Sequence, residues 1–324
     1  MRAAKPEVLV AEPAGFAPEA AELLRGVARV RLEDLDRAGL LARAGAAEVL
    51  WVRLRTRVDA EVMDAAPALR VIATATTGLN HVDLDEAARR GVRVLSLRGE
   101  TAFLKDIRAT AEHTLALMLA LLRHLPAAAG HARAGGWDRD RFRGRELHGA
   151  TVGIVGLGRV GRIVARYLAA FDARVLACDV DPAPEAPPPG VTVVPLDRLL
   201  AESDIVSLHA SYAPESHGFF NRDCFGRMKP GARFVNTARG ELVDEGALLD
   251  ALRSGRLAGA AVDVLADETG RVAGSPLVAH AREHENLVVT PHIGGATVES
   301  MARTEVFLAR RLVALLRPDA PAHP

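Results

Sequence analysis

The sequence predicts an α/β protein of two doubly wound parallel-sheet domains. Two β-α alternations predict it, one before and one after Thr151, because strands that alternate with helices form a parallel sheet covered on both faces. Length agrees with a pair of domains: 324 residues with 49% hydrophobic content supply more core than one ordinary domain needs.

The first alternation reads EVLVAEP, APEAAELLRG, ARVRLE, LDRAGLLARA, AEVLWVR, DAEVMDAAPAL, RVIATATTG, LDEAARRG and VRVLSL. Short Val- and Leu-rich runs predict buried strands, and the longer Ala-, Leu- and Glu-rich stretches predict helices. HTLALMLALLRHLPAAAGHARAG is expected as one long apolar helix, buried between the domains or forming a subunit interface. Its apolar part, Thr114 to Leu122, is too short to span a bilayer.

The second alternation supplies the strands TVGIVG, RVLACD, VTVVP, DIVSLHA, ARFVNTA, GAAVDV and NLVVTPH. PAPEAPPPG, at 182–190, is expected as a surface loop, since proline has no amide hydrogen for a helix or ladder. ATVESMARTEVFLARRLVALLR, after His292, predicts a long amphipathic helix that returns to the first domain. The expected domains are therefore 1–97 plus 297–324, and 98–296.

The 41 basic and 41 acidic residues cancel, so no global field argues for nucleic-acid or membrane partners. Only two cysteines occur, Cys178 and Cys224, and neither has metal-ligand spacing; a reducing, cytoplasmic compartment and no metal are expected. The N-terminus MRAAKPEVLVAEPAG lacks the apolar core of a signal peptide.

Chemistry first becomes specific at TVGIVGLGRVGRIVARYLAAF followed by ARVLACD. This is strand, tight turn, helix, strand. Gly156 permits the turn, Gly158 lets a pyrophosphate approach the backbone, Gly161 lets helix and strand pack closely, and the phosphates meet the helix N-terminus. Asp179, at the end of the second strand, can accept hydrogen bonds from both adenosine ribose hydroxyls. Asp181 follows it, and no Arg or Lys lies between Asp179 and Arg198 to receive a 2′-phosphate, so the expected cofactor is NAD.

Downstream, three residues of complementary chemistry each follow a strand-like segment: Arg239 in NTARG, Glu268 in DVLADE and His292 in TPHIGG. A permanently charged, forked guanidinium suits a carboxylate and an adjacent carbonyl oxygen. An imidazole titrates in the range needed to exchange a proton at neutral pH, and a carboxylate beside it fixes its tautomer and favours its charged form. Together they suit hydride transfer at C2 of a 2-hydroxy or 2-keto acid.

The segments TGLNHVDLDEAARRGV, ATAEHTLALMLALLR, VGIVGLGRVGRIVA, MKPGARFVNTARGELVDEGALLDALRSGRLAGAAVDV and TPHIGGAT, in this order, resemble the NAD-dependent D-isomer-specific 2-hydroxyacid dehydrogenases over nearly the whole chain. The resemblance implies two flavodoxin/Rossmann-like domains with the active site in the cleft, a small-molecule hydroxy or keto acid as partner, and a homodimer. It gives Arg239 the substrate carboxylate and C2 oxygen, His292 the hydroxyl proton, Glu268 the pairing with His292, and Asp263 the nicotinamide amide. It extends the cofactor set to Arg159, Val160, His209, Ser216, Thr237, Ala238 and Gly294.

There are departures from the family pattern. Thr269 follows Glu268 where the family usually has proline, which leaves Asp267 as a rival carboxylate. His209-Ala-Ser-Tyr212 replaces the usual His-Leu-Pro-Leu, altering a wall near the nicotinamide. SLRGETAFLKDIRATA is longer than the common version and carries Arg98, Lys105 and Arg108, read either as an anion site or as a solvated loop.

WVRLRTRVD resembles the D-3-phosphoglycerate dehydrogenase branch, in which Arg53 and Arg55 would meet a phosphate; strand alternation would point the two the same way. Backbone N–H groups of Thr77, Gly78 and Leu79 are expected to hold the C1 carboxylate, glycine allowing close approach. With no amino-acid-binding domain after residue 324, a short, unregulated form is expected if the substrate is phosphoglycerate. Glyoxylate or hydroxypyruvate reduction is the alternative within this class; an NAD(H)-sensing corepressor-like protein lies outside it.

Overall fold

In the computed structural model, residues 5–180, 186–268 and 272–317 are described. Asp181, the first part of the proline-rich loop at 182–190 and Thr269 lie outside them. The chain divides into two compact units, 1–104 with 297–324, and 105–296.

In chain order the first unit contains β1 (Glu7–Val10), α1 (Pro18–Val27), β2 (Arg29–Leu32), α2 (Arg37–Arg43), β3 (Val49–Val52), α3 (Ala60–Ala65), β4 (Val71–Thr74), α4 (Leu84–Arg89), β5 (Arg93–Leu95) and α5 (Thr101–Leu104). The second opens with α6 (Ala109–Leu122), α7 (Leu125–Arg133), β6 (Thr151–Val155), α8 (Arg159–Ala170), β7 (Arg174–Cys178), β8 (Val191–Val193), α9 (Leu196–Glu202) and β9 (Ile205–Leu208). It continues with α10 (Arg222–Arg227), β10 (Ala232–Asn236), α11 (Glu245–Arg253), β11 (Leu257–Val262), α12 (Pro276–Glu283) and β12 (Leu287–Val289); α13 (Val298–Leu316) then rejoins the first unit.

The first sheet has the order β2-β1-β3-β4-β5 and the second β12-β11-β10-β9-β6-β7-β8, with every pairing parallel. Both orders are doubly wound, with reversals at β1/β3 and β6/β9, the positions where ligands of such sheets bind. The central strands β1, β3, β4, β6 and β9 are buried throughout, whereas the edge strands β2 and β8 are largely open. That contrast follows from helices on both faces of a parallel sheet. Asp36, Asp59, Asp83 and Asp244 start α2, α3, α4 and α11 by accepting the N–H three residues on, each contributing about 1 kcal/mol.

The long apolar helix is instead two. α6 buries Ala111, Thr114, Leu117, Met118 and Leu121 within the second unit, and α7 leaves at 65° after His124, which has φ 52°. Pro126 causes the break: it cannot donate to Leu122 O, and its ring would clash there. Arg145 N donates to Leu122 O at 2.9 Å instead, and Gly144 is needed because a Cβ there would lie 2.2 Å from that oxygen. The lengthened segment at 96–111, read as an anion site or a solvated loop, contains α5, whose Phe103 stacks on Phe307 of α13 with centroids 3.9 Å apart, while Arg98, Lys105 and Arg108 are exposed. Among the described residues, no single helix is long and apolar enough to cross a membrane, and no cluster could hold a metal ion.

Candidate active site

The fingerprint occupies the β6/β9 reversal. Gly156 has φ 97°, and a Cβ on it would lie 2.5 Å from Ala210 N, just after β9. A Cβ on Gly161 would lie 2.2 Å from Gly156 O, so helix and turn touch through backbone alone. Gly158 differs: among the described residues nothing lies within 4 Å of a Cβ there, so protein packing does not require glycine. The open space there would admit a ligand. Gly158 also starts α8 without a side-chain cap, leaving the first amides of this helix to an anion. Asp179 Oδ2 accepts Leu157 N–H at 2.7 Å, which braces the turn and sets a carboxylate at the end of β7. These residues fit a dinucleotide.

Several other expected cofactor residues shape the surrounding loops. Arg159 donates to Ile107 O at 2.8 Å, and burial works against its charge; Val160 follows it in α8. His209 Nε2 lies 2.8 Å from Ser207 Oγ, and burial lowers its pKa to about 4, so the ring is neutral. Ser216 Oγ donates to Ala213 O at 2.8 Å and accepts from Ala213 N at 2.9 Å, closing its turn. Thr237 Oγ1 lies 2.7 Å from Thr114 Oγ1, tying the end of β10 to α6.

Arg239 follows β10 on a loop fixed by Asn236, which is 1% exposed. The Asn236 amide donates to Arg239 O and accepts from Ala238 N, both at 2.9 Å. Arg239 Nη1 donates to Ala238 O at 2.5 Å. Gly240 brings this loop against the next one, since a Cβ there would lie 1.9 Å from the Leu265 carbonyl carbon. No reading of the residues had singled out Asn236 or Gly240. A polar residue closing an apolar strand was the available signal for Asn236.

Asp263 ends β11 and is 2% exposed. Its Oδ1 accepts from Thr290 Oγ1 at 2.6 Å and Ile293 N at 2.9 Å, and its Oδ2 from Gly294 N at 2.7 Å; His113 Nε2 lies 3.2 Å from Oδ1. Burial pushes this carboxyl up, but His113, Thr290 and the two amides outweigh it and hold the pKa below the ordinary range. The clamp fixes the turn that carries His292, whose φ of 52° is costly for a non-glycine residue. His292 Nδ1 stands 2.5 Å from Glu268 Oε2, and Glu268 Oε1 accepts Leu265 N–H at 3.1 Å. Of the two rival carboxylates, Glu268 meets the imidazole. Glu245, also unanticipated, accepts Ala266 N–H at 2.8 Å and anchors the loop between Asp263 and Glu268.

In the first unit the geometry alters the expected anion grip. β3 ends at Val52, so strand alternation does not govern Arg53 and Arg55. Arg53 is paired with Glu305 of α13, and Arg55 with Asp34. Thr77, Gly78 and Leu79 follow β4 in a turn where Thr76 Oγ1 donates to Gly78 O at 2.8 Å and lies 3.1 Å from Thr74 Oγ1.

Residues 115–294 match the family model "D-isomer specific 2-hydroxyacid dehydrogenase, NAD binding domain". The chain is 44% identical over 307 residues to D-3-phosphoglycerate dehydrogenase of Mycobacterium tuberculosis, covering 94% of this chain and 56% of that one. It is 38% identical over 293 residues to the Rattus norvegicus protein of the same name, covering 90% and 53%. The chain thus spans about half the length of these curated relatives. Among solved structures it resembles the TT0316 protein from Thermus thermophilus, at 39% identity over 98% of this chain and 99% of that one, with a TM-score of 0.83. It also resembles D-lactate dehydrogenase from Aquifex aeolicus complexed with NAD and lactic acid, at 29% identity, 97% and 96% coverage, and a TM-score of 0.83. The chain belongs to the D-isomer-specific 2-hydroxyacid dehydrogenase family, and residues 115–294 are its NAD-binding domain.

Proposed function

We propose that the protein transfers a hydride between NAD(H) and a D-2-hydroxy acid or its 2-keto acid. The His292–Glu268 pair carries this reading, held at 2.5 Å on a turn clamped by Asp263. Its carboxylate partner keeps the proton on Nδ1 and leaves Nε2 for the substrate oxygen. In oxidation, Nε2 takes the hydroxyl proton as the C2 hydrogen departs with its electron pair; in reduction the imidazolium returns that proton to the C2 oxygen. Arg239 neutralises the C1 carboxylate and polarises the C2 oxygen. Bound NAD supplies the hydride acceptor or donor at its nicotinamide ring. Gly156, Gly158, Arg159, Val160 and Gly161 would receive its pyrophosphate, Asp179 its adenosine ribose, and Asp263 its carboxamide, with His209, Ser216, Thr237, Ala238 and Gly294 lining the rest.

The substrate carboxylate is assigned to the amides of Thr77, Gly78 and Leu79, which makes the first unit a substrate domain and the second an NAD domain, with the boundary at 104/105 in place of the expected 97/98. The names of the relatives favour a phosphorylated substrate; the Arg53–Glu305 pair favours an unphosphorylated one such as glyoxylate or hydroxypyruvate. A cytoplasmic location accords with free Cys178 and Cys224. A homodimer accords with α7, which buries none of its residues, and with Trp137 at 94% exposure; light scattering tests it. The deciding assay follows NADH oxidation against a panel of 2-keto acids. Tight NADH binding without turnover on any of them would replace the enzyme with a corepressor-like NAD(H) sensor.

A further inference from the structure

Arg53 follows β3 and looks, by sequence, like a cation for a second anionic group. Its side chain is already engaged. Nε donates to Glu305 Oε1 at 3.0 Å, Nη2 donates to the same oxygen, and Nη1 donates to Ala14 O at 2.6 Å. Glu305 is 1% exposed, and its other oxygen accepts Ala17 N–H at 2.8 Å. A second buried carboxylate, Glu12, holds the backbone beside it: Oε1 accepts from Arg53 N at 2.9 Å and Thr56 N at 3.1 Å, and Oε2 from Arg55 N at 3.3 Å. The guanidinium is therefore paired with one buried carboxylate, Glu305, while a second, Glu12, holds the backbone amides that carry it. A phosphate approaching Arg53 would have to displace a desolvated partner and would meet negative charge doing so.

We propose that Glu305 is a specificity-determining residue, which withdraws Arg53 from anion binding and biases the protein toward 2-keto acids carrying only the C1 carboxylate. This rests on the dehydrogenase reading above for its site, and names the substrate class. Arg55 does not restore the grip in equal measure: its pair with Asp34 is exposed at 57% and 64%, so its charge is screened by water and salt.

Hydroxypyruvate and 3-phosphohydroxypyruvate differ only in the distal phosphate, so the ratio of their kcat/KM values with NADH reads the effect. The native protein should favour hydroxypyruvate by about tenfold or more, the scale of one unfavourable charge contact. Glu305→Gln leaves Arg53 uncompensated and should move the ratio toward the phosphorylated substrate by at least about fivefold. Arg53→Met with Glu305→Leu removes both charges, keeps the volume, and should move the ratio less than about twofold. A native preference for 3-phosphohydroxypyruvate that the double variant abolishes would overturn the proposal. D-glycerate and 3-phosphoglycerate binding, measured by calorimetry on the NAD-loaded native protein and both variants, separates the two claims. If neither keto acid turns over while D-glycerate still binds more tightly, the dehydrogenase reading fails and the role of Glu305 stands; tighter binding of 3-phosphoglycerate sinks it.

Discussion

Each unit of this molecule holds a carboxylate paired with a basic side chain, and the two pairs are built to different rules. Glu305 and Arg53 have side-chain exposures of 2% and 18%; Glu268 and His292 have 29% and 22%. Arginine is a fixed cation, so the Arg53–Glu305 pair can serve as a strut between α13 and the end of β3. Histidine can lose its proton, and its carboxylate partner is far more open to solvent than Glu305. The backbone differs as well. Arg53 follows β3 without entering the left-handed region, whereas His292 sits at φ 52° on a turn that Asp263 clamps. The pair proposed for proton transfer thus combines backbone strain with openness, and the Arg53–Glu305 pair shows neither.

The largest effect should come from the open pair. His292→Ala should lower kcat by about 10²–10⁴-fold while NADH affinity, measured by fluorescence titration, stays within about twofold. Turnover above a tenth of native would remove His292 from the proton step. Glu305→Ala acts on the closed pair and should appear in stability: a buried guanidinium left without its partner costs about 3–5 kcal/mol, read from urea unfolding. Arg53→Met with Glu305→Leu should recover most of that loss. Equal losses in the single and double variants would mean that packing, not charge, governs the site.

Cofactor selection comes next. Asp179 braces the fingerprint turn through Leu157 N–H, and in the proposed cofactor site its carboxylate would repel a 2′-phosphate. NADH should be preferred over NADPH by about 10²-fold in kcat/KM, and Asp179→Ala should shrink the ratio chiefly by weakening NADH. Parity in the native protein would defeat the assignment.

What the chain disclosed in advance follows the range of the interactions. Strands and the glycine turn were readable because alternation and G-x-G-x-x-G act over a few residues, and Gly156 meets its demand with φ 97°. The α6–α7 break was equally local. Pro126 announced it, but the apolar run around it outweighed that signal. The partners of Arg53 were beyond reach, since Glu305 lies 252 residues away on a helix that rejoins the first sheet only after the second is complete. The motif names Glu268 as the partner of His292, and its 2.5 Å contact agrees, but the supports that hold its loop, Gly240 and Glu245, show only in the fold.

Glu245 offers the smallest and sharpest test, because it is a third carboxylate placed between the two designs. Burial raises its pKa first, with Asp267 and Glu241 adding to the shift, against the stabilising Ala266 N–H. A carboxyl whose folded pKa lies above the unfolded value favours the protein while protonated, and that contribution is lost as pH rises through the folded value. Glu245→Gln ends the titration yet keeps an amide oxygen for Ala266 N–H. Urea midpoints of native and variant should therefore agree near pH 4, and the variant should gain up to about 1 kcal/mol near pH 7.5. A loss at pH 7.5 would show that the charge itself holds the Glu268 loop, placing Glu245 with the ionic struts and not with the hydrogen-bonded supports of His292.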